Sequence, residues 1–122
     1  MLDKYVDDVV YVTNTGGPNG EIITIRGKKD LRARFTSAFE TFDITIKIQS
    51  IRQHGTFVRV RSALFYEHRE TGHGLSCSLR QIMRFEGFRI AETHDFQDAA
   101  KMASFWNLLG DPLQRLRKPQ SA

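Results

Sequence analysis

The stretch from Ile44 to Phe96 constrains this chain most, because its apolar residues hold a period of two through four successive runs. Ile44, Ile46 and Ile48 alternate with Thr45, Lys47 and Gln49, and at Ser50-Ile51 the alternation slips by one, as a β-bulge would make it do. Val58, Val60, Leu64 and Tyr66 then share one face, with Arg59, Arg61 and Glu67 on the other. Leu75, Cys77, Leu79, Met83 and Phe85 are in phase opposite Ser76, Ser78, Arg80 and Arg84, and Phe88 to Phe96 is the last run. Turns at His54-Gly55, Thr71-Gly-His-Gly74 and Glu86-Gly87 separate the runs. Long hairpin-linked strands with one apolar face must cover that face with something.

The flanking segments supply the cover. Val6 to Val12 reads as a short strand, Thr15 to Gly20 as a dense turn cluster, and Ile22, Ile23 and Ile25 as a second short strand stopped by Gly27. From Lys28 to Phe42 the period changes, and Leu31, Phe35, Ala38, Phe39 and Phe42 mark one face of an amphipathic helix. Asp98 is placed to cap a second helix over Ala99 to Leu109, with Met102, Phe105, Trp106 and Leu109 on its apolar side. Gly110 is the expected stop, with Pro112 just beyond. The pattern predicts an α+β fold: a curved antiparallel sheet packed on helices.

Composition narrows the class. At 122 residues, 40% hydrophobic and 26% charged, the chain has the length and balance of one folded domain, not of a disordered segment. The expected division is a domain over residues 1–110 and a basic tail over 111–122, with Arg115, Arg117 and Lys118 in the tail. The nine Phe fall mainly on apolar phases and read as core. No apolar run reaches the roughly 18 residues of a membrane span, and the first residues lack a signal peptide's basic start and apolar stretch. The single cysteine, Cys77, has no intramolecular partner, so the expected setting is a reducing cytoplasm. His54, His68, His73 and His94 show no metal-ligand spacing, and there is no phosphate loop, dinucleotide fingerprint or nucleophile elbow. Neither metal nor cofactor is expected.

Particular segments resemble a known family. Tyr5-Val-Asp-Asp-Val-Val-Tyr11, then a glycine turn, then Ile25-Arg-Gly27 entering a helix with Leu31 and Phe35, is similar to the opening of the SnoaL-like branch of the NTF2-like superfamily. Ile82 to Gly87 followed by Ile90-Ala-Glu92 resembles its penultimate hairpin, and His94 to Asp98 its closing segment. The resemblance covers roughly residues 5 to 109 and implies a cone-shaped sheet around a pocket. It also implies one of many functions: ketosteroid isomerases, polyketide cyclases, epoxide hydrolases, dehydratases and non-catalytic domains share the fold. Two departures stand out. Helices that usually precede the first strand are missing or shortened here. The isomerases' general base falls near Thr13, which cannot serve, and their protonated oxyanion-stabilising aspartate near Gln81, so steroid isomerisation by that mechanism is not expected.

Phase and hairpin geometry single out two polar residues. If Leu79, Gln81 and Met83 face the pocket, the Glu86-Gly87 turn brings Ala91, Thr93 and Asp95 to the same face. Gln81 and Asp95 are then polar groups on an apolar face and need partners. The resemblance to the polyketide cyclases, which use an aspartate in the closing strand as general base, makes Asp95 the candidate base and Gln81 a candidate donor to developing oxyanion charge. The alternative for Asp95 is a cap on the last helix or an ion pair with an arginine. Tyr11, Thr13, Phe35, Phe39, Tyr66, Leu79, Met83 and Thr93 are the expected pocket lining. His94 lies on the opposite phase from Asp95, and His68 continues the inward row towards a hairpin.

Arg59, Arg61, Arg80 and Arg84 form a basic outer sheet face, expected to be laced with Glu67 and Glu92 and to serve as a solvated surface or a homodimer interface. Nucleic acid is not expected there, because the face interleaves few aromatics beyond Phe57 and Phe65. The sequence reading is therefore a pocket protein for a small, largely apolar organic molecule, either a cofactor-independent isomerase, cyclase, dehydratase or epoxide hydrolase, or a non-catalytic ligand-binding or dimerisation domain.

Overall fold

The structure is a computed structural model that describes residues 2–16 and 20–109, without the Trp106 side chain. The expected helix stop at Gly110, Pro112, the basic tail and the place of Trp106 on the apolar side lie outside what is described.

A short 3-10 turn, Leu2–Lys4, leads into β1 (Tyr5–Thr13), β2 (Ile23–Arg26), α1 (Lys28–Thr41), β3 (Phe42–His54), β4 (Phe57–His68), β5 (Gly74–Glu86), β6 (Arg89–Gln97) and α2 (Ala99–Leu109). Each element lies within a residue or two of its place in the sequence pattern. The strands form one sheet in the order β2-β1-β6-β5-β4-β3. Neighbours are antiparallel except β1 and β6, which run parallel, so the sheet is mostly antiparallel, as expected, with one parallel seam that the pattern did not predict. Periodicity cannot reveal this, since it marks faces and not directions. The meander β3 to β6 ends pointing the same way as β1, and that fixes the seam.

The slip in β3 is a bulge. The register passes from Ile48 opposite Ser62 to Ser50 opposite Arg61, leaving Gln49 as the extra residue. Such an insertion bends and twists the strand locally. At the start of α1, Gly27 holds φ 89°, a backbone that other residues rarely adopt, and its amide donates to Val9 O at 2.8 Å. Asp98 caps α2 as predicted, its Oδ1 accepting from the Lys101 amide at 3.0 Å.

Apolar burial concentrates in two groups. Leu31 of α1 is fully buried against Tyr5, Val9, Tyr11 and Ile90, joining the helix to the β1–β6 seam. Met102 of α2 packs with Leu64, Cys77 and Leu79 at the other end. Phe42 sits between helix and sheet, with ring centroids 5.5 Å from Tyr66 and 6.0 Å from Phe105. Cover of the apolar face is incomplete: Ile46, Ile48 and Ile51 of β3 stay exposed at 54%, 58% and 60%.

Candidate active site

A cavity of about 230 Å³ opens between α1, α2 and the inner sheet face, comparable with the liquid volume of about eight waters. Of the expected lining residues, Tyr11, Thr13, Phe35, Phe39, Tyr66 and Leu79 border it, as do Asp95 and Gln81. Met83 and Thr93 do not. They point to the inner face, but Met83 packs on the Leu31 group and Thr93 is fully buried, so this end of the row is filled by core. The hairpin places the polar pair as phase predicted: Gln81 is opposite Asp95 and Met83 opposite Thr93.

Asp95 is the chemical centre of the cavity. It is buried, and its Oδ2 accepts a short hydrogen bond from the Tyr11 hydroxyl. Oδ1 is buried too and has no hydrogen-bond partner among the described residues. Burial raises the carboxyl from its ordinary 3.8 to about 6, while the Tyr11 hydrogen bond, the Gln81 amide and the Arg34 charge each favour the ionised form. Gln81 therefore acts on the carboxylate without closing a full hydrogen bond on Oδ1. Burial, reinforced by the Asp95 charge, holds the Tyr11 phenol well above its ordinary range, so it remains a donor. The two alternatives for Asp95 are not realised. Asp98 is the helix cap, and no arginine of the described residues is ion-paired with Asp95.

Among the lining residues that the sequence did not single out, four are polar: Tyr5, Thr15, Arg34 and Gln97. Tyr5 is buried at the floor, its ring 6.3 Å from that of Phe35, and burial raises its phenol. Gln97 donates from Nε2 to the Tyr66 hydroxyl at 2.6 Å, and its backbone is pinned to Asn14 through reciprocal bonds of 2.8 and 2.9 Å. Arg34, half-buried on α1, donates from Nη2 to the Thr15 carbonyl and, at 3.0 Å, to Thr15 Oγ1. Thr15 is held in turn by Thr13, whose Oγ1 lies 2.9 Å from Thr15 Oγ1.

The remaining candidates fall away from the cavity. His94 points outward to Glu92, Nε2 to Oε2 2.7 Å. His68 Nδ1 meets Thr71 Oγ1 at 2.9 Å in the hairpin. Cys77 is buried, and burial pushes its thiol up, which suits a core residue better than a nucleophile. Among the described residues, no three His, Cys, Asp or Glu converge as metal ligands, and no helix is long and apolar enough to cross a membrane.

The outer face follows its expected form in part. Glu92 laces it through Arg84, at 3.5 Å, and also meets His94, whereas Glu67 stands opposite Asp43 and is ion-paired with no arginine of the described residues. Arg52 is opposite Arg59 and Arg61 opposite Arg80, and none of these four is ion-paired with a described residue.

The fold recurs among solved structures. An NTF2-like protein from Burkholderia thailandensis matches with a TM-score of 0.73 at 21% identity, over 85% of this chain and 80% of that one. An LEH-like epoxide hydrolase of M. tuberculosis matches at 0.68 and 20% identity, over 98% and 81%. A proposed SnoaL-like polyketide cyclase from Jannaschia sp. CCS1 matches at 0.70 and 11% identity, over 84% and 75%. At such identities the likeness concerns architecture alone. No match is found among curated proteins. The family model of the SnoaL-like domain matches residues 1–93, three quarters of the sequence, and with the sheet and cavity just described the chain belongs to the SnoaL-like domain family.

Proposed function

We propose that the cavity carries out cofactor-independent proton transfer on a small, largely apolar organic molecule, with Asp95 as the general base. The observation that supports this most directly is the asymmetry of one buried carboxylate: Oδ2 is held by Tyr11 while Oδ1 has no partner among the described residues. A buried acceptor without a partner is uncommon and calls for a reason, and proton abstraction is one. With a pKa of about 6, the group is mostly ionised at neutral pH yet basic enough to take a proton. Gln81, beside it on β5, is the candidate donor to oxygen that gains negative charge. Cyclisation, isomerisation, dehydration and epoxide opening all fit this arrangement.

A substrate-independent probe tests the base. Wild-type protein should accelerate base-promoted ring opening of nitrobenzisoxazole, whose reacting proton sits on carbon, with a rate that rises through about pH 6. Asp95→Asn should abolish the acceleration, and Gln81→Ala should reduce it by roughly 3 kcal/mol of barrier at most. An undiminished rate in Asp95→Asn would refute the assignment.

The chain's partner is proposed to be a second copy of itself, seated on the outer sheet face. That face carries arginines 52, 59, 61 and 80 at one end and the acidic pair Asp43 and Glu67 at the other. Like charges directly opposite one another across strands are destabilising. Two copies related by a two-fold axis would set each basic end against an acidic end.

A further inference from the structure

The bulge in β3 decides which face Arg52 takes. Ile44, Ile46 and Ile48 hold one phase, and without the extra residue Ser50 and Arg52 would follow them inward. With Gln49 inserted, Ile51 takes the inner face and Arg52 turns outward, directly opposite Arg59. One strand on, Arg61 stands directly opposite Arg80. Two pairs of like charges thus face each other across neighbouring strands, an arrangement that lowers stability unless something answers it.

No described residue answers it. None of the four arginines is ion-paired or hydrogen-bonded among the described residues, so each guanidinium keeps its whole set of donors. All four are exposed and border one open concavity of about 660 Å³, which Ile82 and Phe96 also line and no described acidic residue does. Glu92 is held by Arg84 and His94, and Asp43 and Glu67 lie at the other end of the sheet. The four α-carbons zigzag over three adjacent strands and two steps along them, a patch of about 10 by 7 Å.

We propose that this concavity binds a small oligophosphate, a compact anion with several charges on linked phosphoryl groups. Guanidinium edges match phosphate oxygens two at a time and stay charged at any working pH. A lone carboxylate would answer one arginine and leave three. A nucleic-acid strand would need the basic track to continue, and it does not. The next row on one side holds Phe57 with Arg84 and Glu92, which are already paired, and the next on the other holds one cation, Lys47, beside Ala63 and Ser78.

The site lies on the face of the sheet away from the cavity and does not depend on Asp95 or on any reaction there. It bears on self-association, because the anion and the acidic end of a second copy would answer the same charge and so exclude one another.

Calorimetric titration of dilute protein with inorganic tripolyphosphate, at physiological salt, tests the assignment. Wild type should bind one anion per chain, and its melting temperature should rise as the anion is added. Arg59→Ser/Arg61→Ser should weaken binding by about tenfold or more. Without the anion it should melt no lower than wild type, since repulsion is relieved. Arg26→Ser/Lys29→Ser removes as much charge beside β2, at the far edge of the sheet, and should keep the affinity within about twofold. No binding by wild type, or an equal loss in the two double variants, would overturn the proposal. Tighter binding of single-stranded RNA that grows with its length would name a longer polyanion as the occupant and overturn it as well. If Arg59→Ser/Arg61→Ser fails to fold, Arg52→Ser serves instead, and an unchanged affinity there would count equally against the site.

Discussion

Tyr11 and Asp95 lie 84 positions apart and share a hydrogen bond inside the cavity. They meet because β1 and β6 run parallel, with Tyr11 in register with Thr93 and Thr13 with Asp95. The bond immobilises one carboxylate oxygen and supports the charged form against the burial that opposes it.

Removing that support has a definite sign. We predict that Tyr11→Phe raises the Asp95 pKa further and moves the rising limb of any Asp95-dependent rate to higher pH, by about one unit for one lost hydrogen bond. Carboxyl NMR or a pH–rate profile reads this directly. A limb that moved down would mean that the phenol serves another group.

Stability should depend on pH through the same carboxyl. Its folded pKa of about 6 exceeds the ordinary 3.8, so between these values the folded state holds the proton more tightly than the unfolded chain. Its contribution is most favourable below the lower value and is lost as pH rises to the upper one. A shift of this size corresponds to about 3 kcal/mol. Asp95→Asn should flatten the dependence and raise stability at neutral pH by less than that, since the bond from Tyr11 weakens. Denaturant melts at the two ends of the window would show it.

Leu31 is the joint between α1 and the parallel seam. It is fully buried, and Leu31→Ala should destabilise the protein by about 2–5 kcal/mol. Because Phe35 and Arg34 ride on the same helix, weaker probe binding should accompany the loss. Unchanged stability would mean that the helix is held elsewhere.

The outer face gives a test by charge reversal. Glu67→Arg or Arg61→Glu alone should weaken self-association, and the two together should restore it, because each basic end is proposed to meet an acidic end. Sedimentation would report the state of each variant. A wild-type monomer at high concentration would remove the idea, and salt-sensitive binding of nucleic acid lost in Arg59→Ser/Arg61→Ser would replace it.

The strand phases were legible because one face is buried and the other wet, and a period of two records exactly that contrast. From it follow the pairing of Gln81 with Asp95, the outward turn of His94 and the bulge within a residue of its place. The direction of β1 against β6 was not legible, since it depends on where a meander happens to end. Nor was the filling of the inner row at Met83 and Thr93, because phase tells which face a residue takes but not whether space remains beneath the helix. Arg34 carried a signal that went unread. It stands three residues after Leu31 and four before Ala38, on the stripe α1 turns inward. A charge on an apolar stripe should be followed to what it meets.

The parallel seam also bears on how the cavity comes to exist. Strands β3 to β6 are linked by tight hairpins and can zip together through contacts close in sequence. The β1–β6 pairing joins residues from opposite ends of the domain, and distant closures of that kind are slow to form. Tyr11 and Thr13 reach Asp95 only through that closure, so the Tyr11–Asp95 pair is expected to be assembled late in folding. A ligand that spans the seam would then act as a clasp on the finished chain, slowing its unfolding much more than it speeds its folding.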